Sequence, residues 1–186
     1  MQVFEYVIKR MKAIVRFFRQ RAINGFLKRK KSCILPDISK YPSVAILLDQ
    51  EQFKHYKEIE NTLKRLFVLK KYSFIVFVDA LPKDVMQTDR YFFIRKENFN
   101  FWGLMKLDKK ESLLCMSFDL VIDFSSADEL LTNAYILTLI NNSFRLTFGS
   151  SCPALYDMVI DSKKDDNMLN RIEILKNYLS MLLGKR

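Results

Sequence analysis

Hydrophobic residues near the start of the chain recur at intervals of three and four positions, the spacing of one face of a helix. The apolar members are Phe4, Val7, Ile8, Met11, Ile14, Val15, Phe18 and Ile23. The cations that fall mostly on the other side are Lys9, Lys12, Arg16 and Arg19. The pattern predicts an amphipathic helix with a cationic face over residues 3–27. Asn24-Gly25 predicts its end, since both residue types tolerate the left-handed conformation that closes helices.

A different pattern begins after the basic run LKRKK. The segment SCILPDISKYP, residues 32–42, contains two prolines and predicts a linker. We therefore expect three parts: a basic helical arm at 1–31, the linker at 32–42, and a domain at 43–186.

Within that domain, short apolar runs alternate with segments of helical periodicity. The predicted strands are SVAILLD, SFIVFVD, RYFFIRKENF, FDLVIDF, SFRLTFG and YDMVID, and the main predicted helices are QEQFKHYKEIENTLKRLFVLKKY, SADELLTNAYILTLINN and NMLNRIEILKNYLSMLLGKR. The strands are apolar throughout, which is typical of a parallel sheet covered by helices on both faces. The sequence predicts a doubly wound, mostly parallel Rossmann-like α/β fold with strand order 3-2-1-4-5-6. The region around Trp102 is left unassigned.

Four aspartates, Asp49, Asp79, Asp123 and Asp161, follow or end predicted strands. The carboxyl ends of the strands form the edge where ligands of such folds bind, so these residues mark a candidate ligand edge. Clustered carboxylates there could hold magnesium beside a phosphate. The alternative is capping of the following helices, which is a frequent role of aspartate and the interpretation we favour.

Other catalytic and cofactor signals are weak. The four glycines form no G-x-G motif, which argues against a dinucleotide or phosphate-binding loop. His55 is the only histidine, and the three cysteines form no C-x-x-C pair. We therefore predict no cofactor, no metal site and no catalytic constellation. The chain has no apolar run long enough to span a bilayer, and we expect a cytoplasmic protein that could bind peripherally to the inner membrane.

Positive charge is concentrated in the arm. Residues 1–31 contain ten Lys and Arg against one acid, Glu5, whereas residues 32–186 contain 21 Lys and Arg against 20 Asp and Glu. This asymmetry indicates that the arm meets an anionic partner. The predicted contact residues are Lys9, Lys12, Arg16, Arg19, Arg21, Lys28, Arg29, Lys30 and Lys31. The partner could be the inner membrane leaflet or RNA, and the apolar stripe could instead pack on the domain.

Two resemblances accompany these patterns. The stretch DLVIDFSSADELLTNAYILTLINNSFRLTFG resembles a strand–helix–strand region of heptosyltransferase-type glycosyltransferases. Those enzymes bind the nucleotide-sugar largely through a second domain, so the resemblance implies a shared fold rather than an activity. The order of the basic helix, SVAILLD, FDLVIDF and YDMVID is similar to a Bacteroidota family of unknown function. That likeness implies no activity and no site residues.

The leading hypothesis is therefore a non-catalytic binding or adaptor module that docks on an anionic surface, either the inner leaflet or RNA and the ribosome, through its N-terminal arm. The alternative is an enzyme acting on a phosphorylated or nucleotide-sugar substrate at the carboxyl edge of the sheet. A protein partner is also compatible with the sequence, which does not set the oligomeric state.

Overall fold

The computed structural model describes residues 2–30, 42–81, 88, 90–126, 130–149, 152–160 and 167–182. Six strands form one sheet in the order β3-β2-β1-β4-β5-β6, as predicted. The strands are β1 Ser43–Asp49, β2 Lys71–Phe77, β3 Tyr91–Ile94, β4 Ser117–Asp123, β5 Asn141–Thr147 and β6 Met158–Val159. All five neighbouring pairs are parallel. The predicted doubly wound α/β fold is therefore confirmed.

Helices cover both faces of the sheet. They are α1 Gln2–Leu27, α2 Tyr56–Leu66, α3 Leu107–Leu114, α4 Thr132–Leu137 and α5 Met168–Leu182. One apolar core lies between the sheet and helices α2 and α5. A second core lies on the opposite face and takes residues from α1, α3 and α4. Successive residues of β1 serve the two cores in turn, which explains why an unbroken apolar run is needed there.

Because the predicted strands do not alternate, we expect eight of their apolar residues to be buried. Seven of them are: Val44, Ile46, Leu48, Ile75, Val121, Ile122 and Phe148. The eighth, Phe77, is only half-buried because it lines a cavity at the carboxyl edge.

Several predicted elements are shorter than expected. The third strand, predicted over 90–99, spans only Tyr91–Ile94, and the first domain helix, predicted over 50–72, spans only Tyr56–Leu66. The helix predicted over 126–142 is reduced to the six residues of α4, preceded by Leu131 in the left-handed conformation with φ of 55°. Its predicted last residues, Asn141 and Asn142, instead begin β5. The predicted sixth strand narrows to two residues. The unassigned region around Trp102 contains α3 and the loop before it.

The first helix ends at the last residue of its predicted range, 3–27, although it continues through Asn24-Gly25 instead of closing there. Gly25 is accommodated in the helix, and a Cβ atom at that position would meet no other atom within 4 Å. Leu27 is the last helical residue. The predicted linker lies outside the described residues apart from Pro42, and the domain boundaries remain predictions.

Candidate docking surface on the first helix

The two halves of α1 lie in different environments. From Val15 onward its inner side packs on the domain, and Ile23 is completely buried in the second core. Every side chain from Glu5 to Ile14 is exposed, a segment that we call the overhang. The apolar side of α1 is therefore covered by the domain only in its second half, and in the first half the same side faces solvent. The alternative that the apolar stripe of α1 packs on the domain therefore holds for its second half and not for the overhang.

Arg19 fixes the second half of α1 to the domain. Its side chain is only 4% exposed, and its Nε donates to the Gly103 carbonyl at 2.8 Å. Its Nη1 donates to the Leu130 carbonyl at 3.0 Å and to Thr132 Oγ1 at 2.7 Å. The guanidinium also lies over the Phe99 ring, 4.8 Å from its centroid. Arg19 was predicted to contact an anionic surface, but the structure holds its guanidinium inside the domain, where a buried cation needs such internal hydrogen bonds.

The loop before α3 forms the other side of this contact. Gly103 has a φ of +73°, and a Cβ atom there would overlap Val15 Cγ1. Trp102, the residue before Gly103, packs on Phe18, and the centroids of the two rings are 4.9 Å apart. Sequence reasoning missed this loop because its partner lies more than 80 positions away. The only local signal was a rare glycine beside the only tryptophan.

Exposed apolar side chains of the overhang and of this loop form one surface, which we call the docking patch. It consists of Val7, Met11, Ile14, Phe17, Phe101 and Trp102. Their exposed fractions run from 37% for Ile14 to 63% for Phe101. The aromatic members are linked through Phe18, with ring centroids 4.9 to 5.5 Å apart. Large exposed apolar patches on a folded domain mark interaction sites.

The predicted contact cations fall into two groups along α1. Lys9, Lys12 and Arg16 are exposed and follow one another at helical spacing beside the docking patch. Arg21 is also exposed but lies toward the other end of this helix, which is about 39 Å long, and the exposed Lys28 and Arg29 directly follow that end.

Lys30 is not a free surface cation. Its side chain is 16% exposed, and its Nζ lies 2.9 Å from Asp157 Oδ1 and 3.0 Å from the Leu155 carbonyl. Lys30 was predicted to meet an external anion, but in the structure its charge pairs with Asp157 of the same chain. Lys31 lies outside the described residues.

The aspartates at the carboxyl edge bind the backbone around them. Asp49 Oδ1 accepts from the backbone N–H groups of Glu51 and Gln52, and its Oδ2 accepts from that of Ser126. Asp79 pairs with the exposed Lys96 at 2.6 Å. Asp161 lies outside the described residues. The local turn and capping interpretation is therefore the one that the contacts of Asp49 support.

Of the three carboxylates of this edge that the structure describes, only Asp123 is almost fully buried, with 2% of its surface exposed. It accepts hydrogen bonds from the backbone N–H and hydroxyl of Ser125 and from the Tyr156 hydroxyl. Burial raises the pKa of Asp123 and the hydrogen bonds from Ser125 and Tyr156 offset part of that rise, so that the pKa is about 6. These contacts join the end of β4 to the segment before β6. Its role in the structure is to tie the two together.

A cavity of about 720 Å³ lies between α1 and this edge. Its lining includes Met11 and Val15 of the helix and Asp49, Phe77 and Phe99 from the domain. Within the described ranges, no three histidine, cysteine or acidic side chains are grouped so that they could hold a metal ion. The arrangement therefore provides a mostly apolar space rather than a carboxylate cluster.

A family model matches most of the chain. The model is DUF6913, a family of unknown function, and it covers residues 16–182. The chain belongs to this family. Its match begins within α1 and includes Arg19 and the whole sheet. It does not test the Bacteroidota distribution or the likeness to heptosyltransferases, which stay predictions.

No curated protein and no solved structure gives a significant match to the chain. Among the helices that the structure describes, none is long and apolar enough to cross a bilayer.

Proposed function

We propose that this protein is a non-catalytic adaptor that docks on an anionic membrane surface through the overhang and the docking patch. The observation that carries the proposal is the combination of exposed apolar side chains with exposed cations on the free half of α1. Val7, Met11 and Ile14 are each 37–47% exposed, and the exposed cations Lys9, Lys12 and Arg16 lie along the same stretch of α1. Helices of this composition lie in the headgroup region, with the apolar side toward the acyl chains.

The aromatic part of the patch favours a bilayer over a purely electrostatic partner. Trp and Tyr concentrate at membrane interfaces, where a ring can face hydrocarbon and a polar atom can face water. Trp102 and Phe101 extend the apolar surface beyond the helix, and Tyr6 is 55% exposed with Arg10 over its ring. Each basic residue near an anionic surface adds about 1 kcal/mol of attraction. Under this proposal the domain would sit on the inner, cytoplasmic leaflet.

Co-sedimentation with vesicles tests the proposal. The wild-type chain should pellet with vesicles of phosphatidylserine and phosphatidylcholine at low salt, and much less with phosphatidylcholine alone. The test variant carries Val7→Ser, Met11→Ser and Ile14→Ser. Each half-exposed side chain should contribute about 1 kcal/mol on insertion, so the variant should bind roughly a hundredfold more weakly.

The matched control changes two exposed apolar residues on the opposite side of the sheet, Leu169→Ser and Met181→Ser, which are 54% and 76% exposed. This control should bind vesicles as the wild-type chain does. Equal binding by the overhang variant and the wild type would contradict the proposal. Salt-sensitive binding of single-stranded RNA that survives the three serine changes would instead assign the arm to a phosphate backbone.

A further inference from the structure

A second feature of the fold lies at the opposite end of α1, near the amino ends of β4 and β5. Two cavities of about 570 and 640 Å³ adjoin there. They share the lining residues Phe26, Arg29, Leu114, Thr138 and Leu139, and together they form what we call the amino-edge groove. Cavities of this volume are the size of small-molecule sites in proteins.

The lining of the groove is strongly cationic. Its charged residues are Arg21, Arg29, Lys30, Lys110, Arg145 and Asp157. The single carboxylate, Asp157, is already used: one oxygen pairs with Lys30 and the other accepts from the Arg145 backbone N–H at 2.9 Å. The other four cations are Arg21 in α1, Arg29 just after α1, Lys110 in α3 and Arg145 in β5, so their convergence is a product of the fold.

Arg145 is the fixed member of this set. It is 3% exposed, its Nε donates to Asn142 Oδ1 at 2.8 Å, and its Nη2 lies 3.4 Å from the Ile140 carbonyl. Its guanidinium is held over the Phe26 ring, 4.3 Å from the centroid. A guanidinium whose orientation is set in advance loses little entropy when it binds an anion. Arg21 and Arg29 are exposed and can adjust around a ligand.

We propose that the amino-edge groove binds a phosphate-bearing ligand of small-molecule size. Arginine forks match the oxygens of a phosphate, and lysine contributes a point charge. Asn142 supports this assignment, because Arg145 occupies its amide oxygen and leaves the amide nitrogen as a hydrogen-bond donor. A free phosphorylated molecule and a lipid headgroup share this chemistry. The proposal does not depend on membrane docking by the overhang, since no residue of the docking patch lines the groove.

Isothermal titration of the full chain with inorganic pyrophosphate tests the assignment, at constant ionic strength set with sodium chloride. The wild-type chain should show saturable binding to one site. Arg29→Gln combined with Lys110→Gln should raise the Kd by tenfold or more. Arg16→Gln, a cation of the same helix outside the groove, should change it less than twofold. The overhang variant with three serines should bind pyrophosphate like the wild type, which separates this site from the docking patch.

A parallel measurement with vesicles that contain phosphatidic acid distinguishes a lipid headgroup from a free phosphorylated molecule as the ligand. Binding of these vesicles through Arg29 and Lys110, without binding of pyrophosphate, assigns the groove to a lipid headgroup. Binding of pyrophosphate assigns it to a soluble phosphate. The proposal is overturned if neither probe responds to the double change, or if a short polyglutamate binds as tightly as pyrophosphate. Thermal melts of each variant confirm that a lost signal is not a lost fold.

Discussion

Replacement of Arg19 tests whether α1 is part of the domain. Arg19→Ala removes three hydrogen bonds from a charged donor and leaves the carbonyls of Gly103 and Leu130 without it. Hydrogen bonds that involve a charged group contribute about 1.5–3 kcal/mol each. Part of this is offset because burial of the guanidinium itself costs free energy. We therefore expect the free energy of unfolding to fall by about 3 kcal/mol in total.

Urea denaturation measures this loss. With a slope of about 2 kcal/mol per molar, a loss of 3 kcal/mol lowers the urea midpoint by about 1.5 M. Arg16→Ala is the control, because Arg16 lies on the same helix one turn earlier and is exposed. That change should alter stability by less than about 0.5 kcal/mol. Arg19→Met, which keeps much of the side-chain volume, should lie between the two, since it loses only the polar contacts.

Equal midpoints for Arg19→Ala and Arg16→Ala would refute this reasoning. Such a result would mean that the second half of α1 adds little to the stability of the domain. Variants that remove positive charge from the arm should retain Arg19 and Lys30, because replacing either of these residues would combine a folding defect with a binding defect.

Two further predictions concern the same fold. Gly103→Ala should lower the free energy of unfolding by about 2–4 kcal/mol, since the new Cβ atom adds strain at positive φ and overlaps Val15. Val15→Ala should restore part of this loss in thermal or urea melts. Gly25→Ala is the control: it lies in open helical surroundings and should be neutral or stabilising, and a loss equal to that of Gly103→Ala would contradict this explanation. Asp123 has a pKa of about 6 against 3.8 for an ordinary aspartate, so the native state holds this proton more tightly. Its contribution to stability is therefore greatest below pH 4 and is lost as the pH rises through 6, by about 3 kcal/mol in all. Asp123→Asn should gain stability relative to the wild type over that interval in urea melts at each pH, and parallel curves would disprove the assignment.

The sheet could be predicted from the sequence because its strands carry their own signal. Runs such as SVAILLD have no polar side to present to water, and this property alone requires helices on both faces. The strand order was predicted from the alternation of strands and helices, which is typical of doubly wound sheets.

The arm could be predicted only in part, because a helical stripe does not reveal how far its covering surface extends. Ile8 and Ile23 belong to the same sequence pattern, yet Ile8 is 40% exposed and Ile23 is fully buried. Arg19 was assigned to the solvent side for the same reason. Its burial depends on carbonyl groups at Gly103 and Leu130, whose positions are set by the tertiary structure.

The aspartates show the converse difficulty. Asp49 and Asp123 end neighbouring strands, as the sequence indicated. Whether such a carboxylate faces a ligand or the nearby backbone depends on the turn that follows. In both cases the backbone N–H of the residue two positions later, Glu51 or Ser125, donates a hydrogen bond to a carboxylate oxygen of the aspartate. The same short loops that bring the carboxylates to one edge therefore also satisfy them.

Fluorescence of Trp102 tests membrane docking most directly, because it is the only tryptophan in the chain and lies in the docking patch with 46% of its surface exposed. The measurement adds vesicles that contain phosphatidylserine, with and without bromine atoms on the acyl chains. Our account predicts that Trp102 emission shifts to shorter wavelength on binding and is quenched by the brominated lipid. Unchanged, unquenched Trp102 emission at lipid concentrations where the protein co-sediments with the vesicles would contradict it.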